Sequence, residues 1–217
     1  ESSNKTIYLF FGGFLIATAI QKWDLHKRIA LFVLENAGSN GASLIFGFML
    51  TAAVISMWVM NTATTIMLLP IGLAVVTVVK TTVNHLSEED VESFQLALLL
   101  GIAYGATIGG MSTLIGTGPN GMLAAFMSDN YDLDISFVDW MKVGVPLSAV
   151  MLPSCWLILT RIAFKVNFET SVETRELLST MKSELGELKG PELKVLVVFI
   201  LTAMAWMFRT ILDDFSF

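Results

Sequence analysis

The chain contains 217 residues, of which 54% are hydrophobic and 15% are charged, against about a quarter charged in a typical soluble domain. Its 13 basic and 19 acidic residues give a net charge of −6, which argues against a nucleic-acid-binding protein because such proteins need a basic face. The single cysteine, Cys155, excludes an internal disulfide and a cysteine-rich metal site. A mean hydropathy of +0.70 leaves an integral membrane protein as the broad class.

The first element in chain order is an uncharged stretch over residues 6–21, which predicts a transmembrane scaffold helix over residues 1–22. This stretch is short for a crossing, which takes roughly 20 apolar residues, and Trp23 extends it as an interfacial anchor. Residues 1–4 include neither an initiator methionine nor the basic region of a signal peptide. We therefore expect the sequence to be a fragment.

An uncharged run over residues 36–79 could cross the membrane once, cross it twice, or form a hairpin that returns to its own side. If it returns, all lysine and arginine residues except Lys5, Lys142 and Arg209 share one side of the membrane, whereas a single crossing divides them more evenly. Basic residues concentrate on the cytoplasmic side. The charges therefore favour a return, and two complete spans satisfy them as well as a hairpin does.

The middle of this run, residues 56–65, carries the amide of Asn61 and three threonine hydroxyls inside an apolar frame. Polar groups in hydrocarbon are costly unless they are satisfied, so such a segment is expected only where it faces protein or a water-filled cavity. We predict a re-entrant helical hairpin over residues 39–80 with its tip near the bilayer midplane. Pro70 and Gly72 are expected to loosen the returning helix.

The next uncharged stretch, residues 94–128, indicates a transmembrane helix that is broken in its middle. Residues 107–121 contain five glycines and Pro119, a composition that does not form a continuous helix. Discontinuous helices expose backbone groups within the membrane and build ion and substrate sites in secondary transporters. Carbonyl and hydroxyl oxygens suit an alkali cation, and half-helix N-termini attract an anion. Thr113 and Thr117 are candidate lining residues.

Four further elements complete the predicted map. Two amphipathic stretches, over residues 23–38 and 170–190, suit helices lying in the membrane interface on the basic side, with solvated connecting helices as the alternative. Two apolar stretches predict a transmembrane helix over residues 143–165 and a scaffold transmembrane helix over residues 191–212. The expected apolar faces of the amphipathic helices comprise Leu25, Ile29, Phe32 and Val33 in the first, and Leu178, Met181, Leu185 and Leu188 in the second.

Two motifs in the polar segments resemble those of one transporter family. The sequence NTAT at residues 61–64, followed by LP at residues 69–70, resembles the first signature of the divalent anion–sodium symporter family, the INDY-type dicarboxylate carriers. The sequence GGMSTLIGTGPN at residues 109–120 looks like the broken-helix loop of that family. The pair occurs in the expected order, and the resemblance covers nearly the whole chain as the first-repeat portion of such a carrier.

This resemblance implies an all-α integral membrane protein with a helical transporter fold, in which each of two inverted repeats supplies a re-entrant hairpin and a broken transmembrane helix. It implies a multi-pass protein of the cell membrane that imports divalent anions, here C4 dicarboxylates such as succinate, with a sodium gradient. Family members work as homodimers, and a transport domain moves like an elevator against a scaffold. Such a protein is not an enzyme, and it uses sodium as a co-transported ion, with no cofactor and no transition metal.

The resemblance also implies the ligand sites. The hairpin and the broken helix belong to the transport domain, and the segment at residues 23–38 resembles the interfacial arm helix of the family. The implied sodium ligands are Ser56, Met60, Asn61 and the backbone of Gly109. The implied contacts of the substrate carboxylate are Asn61, Thr62 and Gly110.

This sequence departs from the family pattern in three respects. Met60 stands where the family tip has serine, and a thioether is a poor sodium ligand, so only its backbone carbonyl could help. Leu114 and Gly118 stand where prolines are common in the loop. No second tip or loop occurs before Phe217, so we expect half a transporter that does not transport alone.

Simpler alternatives exist for the polar residues and for the function. Asn61 and Thr62 could join helices by hydrogen bonds, and Ser56 could bond to its own helix. Cys155 is expected to be a packing residue, and His26 and His85 to be interfacial or exposed. A channel or antiporter subunit could use the same hairpins without anion symport. A membrane-embedded enzyme finds no support because the sequence lacks an intramembrane carboxylate pair, a histidine cluster and a nucleophile motif.

Overall fold

The computed structural model describes residues 2–38, 40–83, 86–188 and 190–208. Within these ranges the chain is helical and forms no β-strand, apart from a single bridge between Asn40 and Glu169. The helices are α1 (Ser2–Lys22), α2 (Leu25–Glu35), α3 (Gly41–Ser56), α4 (Asn61–Thr82), α5 (Glu88–Gly110), α6 (Gly118–Tyr131), α7 (Phe137–Leu157, continued as a π-helix over Ile158–Ala163), α8 (Val172–Glu184) and α9 (Gly190–Met207).

Four of the described helices are long and apolar enough to cross a membrane: α4, α5, α7 with its π-helical extension, and α9. The described chain is therefore an all-α integral membrane protein, as predicted. Helix α3 is apolar but has only 16 residues, about 24 Å at 1.5 Å per residue, against roughly 30 Å of hydrocarbon. Helix α1 is not among the four, so its assignment as a scaffold span stays a prediction.

Helices α3 and α5 form the centre of the fold because small residues let their backbones touch. Gly101, Gly105 and Gly109 recur every fourth residue along α5 and so lie on one face. A methyl group at Gly105 would lie 2.6 Å from the carbonyl oxygen of Met49, and one at Gly109 would overlap the backbone of Ala53. Small residues at this spacing permit the close packing on which helix association in membranes depends.

The helix starts follow local capping signals. The side chain of Asn40 accepts a hydrogen bond from the amide of Ser43 at 2.7 Å and so begins α3. Ser87 and Asp90 form a reciprocal capping box at the start of α5, which satisfies two amides that would otherwise lack partners. These caps fix where α3 and α5 enter the core, and so they set the relative register of the two helices.

The break in the second polar segment is shorter than the sequence predicts. Helix α5 continues through Gly110, so only residues 111–117 leave the helical conformation. The glycines at the end of α5 stay helical because they face another helix closely and need no side chain there. Helix α4 likewise runs through Pro70 without interruption, and this proline lies on an exposed face.

The apolar face expected for α2 is partly wrong. Leu25 is buried as predicted, but Phe32 is 63% exposed, and the buried face includes Ala30, Leu31 and Leu34 instead. The reason is that α2 packs against both α3 and α8. These two helices cover the face of α2 that carries Ala30, Leu31 and Leu34, and the sequence pattern alone does not predict this contact. In the second amphipathic segment, α8 ends at Glu184. Leu178 of the predicted apolar stripe is buried, whereas Leu188, which lies beyond the end of α8, is exposed.

His26 is buried, contrary to the expectation of an interfacial or exposed side chain. Only 4% of it is exposed, and its Nδ1 lies 3.3 Å from the carbonyl oxygen of Ile20. The left-handed backbone of Asp24 (φ 53°) turns the chain sharply between α1 and α2 and folds the ring beneath the end of α1. This burial lowers the pKa of His26. His85 lies outside the described residues.

Arg28 joins α2 to the first turn of α9 and to the connection between α8 and α9. Its Nε lies 2.8 Å from a carboxylate oxygen of Glu192, which is itself buried. Its Nη atoms donate hydrogen bonds of 2.8–3.0 Å to the carbonyl oxygens of Leu185, Gly186 and Glu187. The guanidinium group suits this task because it presents five donors in a fixed plane. The two amphipathic helices are therefore held together on one side of the fold.

Substituting Gly105 with alanine tests the contact between α3 and α5. The new methyl group would meet the backbone of Met49, which cannot move aside as a flexible side chain can, so we expect a loss of about 1–3 kcal/mol of stability. The measurement is the thermal unfolding midpoint in detergent. Gly190→Ala is the control because Gly190 is exposed and its added methyl group would meet no atom within 4 Å. Equal midpoints for the two variants would contradict the close contact.

Candidate functional site

The tip between α3 and α4 is a turn over residues 57–60. Ser56, the last residue of α3, is fully buried, and its hydroxyl donates a hydrogen bond to Oδ1 of Asn61 at 2.7 Å. Asn61 is the first residue of α4, and its backbone carbonyl accepts the hydroxyl of Thr65 at 2.9 Å. The two helix ends are therefore tied to each other by polar side chains at the point where the chain reverses.

The amide of Asn61 packs directly against the end of α5. A methyl group at Gly110 would overlap the Asn61 side chain, so only glycine lets the two segments approach so closely. Gly109 faces the opposite way, toward Ala53 of α3, and its carbonyl oxygen accepts the amide of Ser112 at 2.9 Å. Neighbouring glycines thus serve two different contacts, one with the hairpin tip and one with its first helix.

The break between α5 and α6 also contacts the tip. The hydroxyl of Thr113 donates a hydrogen bond to the carbonyl oxygen of Met57 and accepts one from the amide of Gly116 at 3.1 Å. A methyl group at Gly116 would lie 2.5 Å from the carbonyl oxygen of Gly110 and 2.9 Å from that of Ser56. Backbone and side-chain oxygens of the tip and of the break are therefore gathered in one small region.

Asn120 holds the two sides of the break together. Its Nδ2 donates hydrogen bonds to the carbonyl oxygens of Gly110 at 2.9 Å and Thr113 at 2.8 Å. Asn120 is 7% exposed and lies in the first turn of α6. A backbone carbonyl that has no helical partner needs another donor when water is absent. The amide group of Asn120 is the donor for two such carbonyls, one at the end of α5 and one within the break.

Helix α7 supports the break from its other side. Ser148 donates to the carbonyl oxygen of Ile108 and accepts from the hydroxyl of Ser112, each at 2.8 Å. The indole nitrogen of Trp140 donates to the carbonyl oxygen of Met111 at 2.9 Å. Between them lies Gly144, which is close enough to the break that a methyl group there would meet backbone oxygens. The three α7 residues are spaced by four and share one helix face.

One face of the site is open. Met60 and Thr62 are exposed beside the tip, and Gly118 is exposed at the start of α6 with open space around it. Met60 and Thr117 precede α4 and α6, and neither makes a side-chain capping bond. Two helix N-termini without a side-chain cap therefore lie beside the cluster of oxygens, and such ends carry partial positive charge. At α6 the free backbone donor is the amide of Gly118, because Pro119 has none and the amide of Asn120 bonds to the carbonyl of Thr117.

The site contains no charged side chain. Residues 56–65 and 107–121 include no Asp, Glu, Lys or Arg. Among the residues that the structure describes, no group of three His, Cys, Asp or Glu side chains is placed to hold a metal ion. Any ligand bound here would therefore meet neutral hydroxyl, amide and backbone groups together with helix ends.

The structure brings together three of the residues selected from the sequence: Ser56, Asn61 and Gly110. Met60 and Thr62 lie next to them on the open face, and Gly109 faces α3. Four further residues hold the break without a predicted role from the sequence: Asn120, Trp140, Gly144 and Ser148. The last three recur every fourth residue within an apolar helix, and this spacing was the available signal.

A helical hairpin whose polar tip packs against an interrupted apolar helix gives this all-α integral membrane protein a polar site among its membrane helices. Residues 1–216 match the family described as the sodium:sulfate symporter transmembrane region, and the chain belongs to this family. With its several apolar helices, it is part of a multi-pass protein of the plasma membrane.

Two similar proteins are both named sodium-dependent dicarboxylate transporter SdcS. The chain is 38% identical over 217 residues to the protein of Staphylococcus saprophyticus and 35% identical over 213 residues to that of Staphylococcus aureus strain USA300. Each comparison covers 98% of this chain and 41% of the relative. The chain therefore spans about two fifths of the length of the curated relatives that it matches.

Substituting Asn120 tests the closure of the break. Asn120→Ala leaves two carbonyls without their donor, and we expect a loss of about 2–3 kcal/mol of stability, seen as a lower thermal unfolding midpoint in detergent. Asn120→Asp should cost at least as much because a carboxylate cannot donate. Asn130→Ala is the control on the same helix, since Asn130 is exposed and bonds only within α6. A midpoint unchanged by Asn120→Ala would show that the break closes without this residue.

Proposed function

We propose that the intact protein is a sodium-coupled secondary transporter that imports divalent anions, with C4 dicarboxylates such as succinate as its substrates. The observation that carries the proposal is the contact of Asn61 with both Ser56 and Gly110 in a region without charged side chains. Neutral oxygens gathered beside two uncapped helix N-termini offer ligands to a small cation and to an anion at once.

The two relatives support a dicarboxylate as the anion. Both are named for dicarboxylate transport, whereas the family description names sulfate. Both kinds of substrate are divalent, so the same helix ends and amides can attract either. A dicarboxylate differs in carrying its charges on two separated groups, of which this chain would bind one beside Asn61.

Sodium is the cation proposed for the oxygens beside the tip. Its ligands from this chain are Ser56, Asn61 and the backbone carbonyls of Met60 and Gly109, all hard oxygen donors. The Met60 carbonyl also accepts the amide of Thr64 at 3.0 Å, and the Gly109 carbonyl accepts that of Ser112. Each carbonyl has two lone pairs, so these hydrogen bonds leave one free for the ion.

The substrate carboxylate is proposed to bind at the open face. The amide of Asn61, the hydroxyl of Thr62 and the backbone of Gly110 would contact it, near the first turns of α4 and α6. Oδ1 of Asn61 accepts the hydroxyl of Ser56, which leaves its Nδ2 to donate to the carboxylate. One amide would thus touch both ligands, and by linkage each ligand must strengthen the binding of the other by the same factor.

We infer that the hairpin is re-entrant and that it moves together with the broken helix. Trp58 at the tip packs edge-on against Phe199, in the middle of α9, with ring centroids 4.8 Å apart, which supports a tip inside the membrane. The backbone contact of α3 with α5 supports a single moving body, as an elevator mechanism needs. The proposed homodimer rests on the family resemblance.

Sodium binding is tested by thermal unfolding of the intact protein in detergent. We expect sodium to raise the unfolding midpoint and potassium at equal ionic strength to leave it unchanged. Ser56→Ala removes one proposed ligand, so the sodium-dependent shift should disappear even if the midpoint itself falls. Ser154→Ala should keep the shift because this exposed serine bonds only to Val150 within α7. Equal shifts with both cations would contradict the proposed site.

Transport is tested with the intact protein in proteoliposomes. We expect uptake of labelled succinate that requires an inward sodium gradient, and we expect Thr62→Ala to reduce it by about tenfold through the loss of a hydrogen bond to a charged group. Thr77→Ala is the control on the same helix because this exposed hydroxyl bonds only to Leu73. Succinate uptake that ignores the sodium gradient would instead favour a channel or an antiporter.

A further inference from the structure

A polar cleft of about 650 Å³ opens where the π-helix that continues α7 ends. Its polar lining comprises Asn40, Thr160, Arg161, Lys165, Asn167 and Glu169. The cleft lies at the end of α3 remote from the tip. Asn40 and Ser56 bracket a helix of 16 residues, so the cleft and the proposed transport site are about 24 Å apart along α3. The cleft is therefore separate from that site.

Two cations with no partner in the described chain face this cleft. Arg161 and Lys165 are exposed, and neither makes a hydrogen bond or an ion pair with another described residue. Two other basic residues predicted on the same side have a carboxylate partner: Arg28 pairs with Glu192, and Lys27 pairs with Asp24. The lining contains one carboxylate, that of Glu169, so the cleft keeps a net positive charge.

The backbone at the end of the π-helix presents these cations at a conformational cost. Lys165 has a positive φ of 43°, a conformation usually taken by glycine. The amide of Val166 donates to the carbonyl oxygen of Thr160 at 2.9 Å and closes this helix end. Lys165 therefore adds its charge to the cleft that Arg161 also lines, at a position where a glycine would fit the backbone better.

An apolar groove of about 570 Å³ lies next to the cleft along α3. Its lining includes Phe32, Phe46, Leu50 and Trp156. The indole nitrogen of Trp156 donates to the carbonyl oxygen of Ala42 at 2.7 Å, and Ala42 also lines the cleft. Going along α3 from Asn40 to Leu50, the surface therefore changes from cationic and polar to apolar.

We propose that this seam between α3 and α7 binds one anionic phospholipid. The phosphate lies between Arg161 and Lys165, and an acyl chain follows the groove past Trp156 toward Leu50. The polar cleft and the apolar groove follow each other in the order of a lipid headgroup and its acyl chain. The basic residues lie on the predicted cytoplasmic side, where anionic lipids attract them. The tryptophan stands at the boundary, where its ring is partly apolar and partly polar.

The test uses the intact protein, purified in detergent, and native mass spectrometry to count bound lipid. We expect phosphatidylglycerol to bind at least about tenfold more tightly than phosphatidylcholine, and Arg161→Gln with Lys165→Gln to remove that preference. Glu169→Gln should strengthen phosphatidylglycerol binding by removing the opposing charge. Lys22→Gln with Lys80→Gln is the matched control because both lysines are exposed and predicted on the same side.

Four outcomes would overturn the proposal. The first is equal binding of the two lipids, and the second is a preference that survives the loss of both Arg161 and Lys165. The third is thermal stabilisation by inorganic phosphate that equals that by phosphatidylglycerol and needs the same two cations, which would make the cleft a site for free phosphate. The fourth is an equal loss of the preference in the control pair and in the Arg161 and Lys165 double variant, which would assign the preference to general surface charge.

Discussion

A backbone group that leaves its helix inside a membrane must find a partner elsewhere in the protein, because lipid supplies none. The hairpin tip and the broken helix satisfy this requirement together. Thr113 of the break bonds to a carbonyl of the tip, and Asn120 of α6 bonds to one carbonyl at the end of α5 and to one within the break. Neither segment would be satisfied alone, so two polar interruptions that are distant in sequence must fold as one unit.

Close approach of the main chains makes these bonds possible. The contact of α3 with α5 at Gly105 and Gly109 brings the ends of the two helices to the same place. Gly110 then admits the side chain of Asn61, which a larger residue would displace. Helix packing and the geometry of the site therefore depend on the same segment of α5. Its glycines bring α3 and α5 into contact and allow the Asn61 side chain to approach the backbone of Gly110.

The tip and the break could be predicted because each violates the pattern around it. Asn61 and the glycines of the loop are conspicuous in uncharged stretches, and their composition alone indicates a turn or an interrupted helix. The orientation of each residue could not be predicted. Whether Gly109 or Gly110 faces Asn61 depends on the rotation of α5 against α3, and the burial of His26 depends on the sharp turn at Asp24. Such features follow from tertiary contacts that a local pattern does not encode.

The absence of charged side chains from the two polar segments gives the proposed sodium coupling a physical basis. Each helix N-terminus is equivalent to roughly half a positive charge, so α4 and α6 together offer about one. A divalent anion carries two negative charges, and this chain has no lysine or arginine at the site to balance the remainder. A sodium ion beside Asn61 would supply the missing charge. An arginine in its place would bind the anion without sodium, and the proposed import would then no longer depend on the sodium gradient.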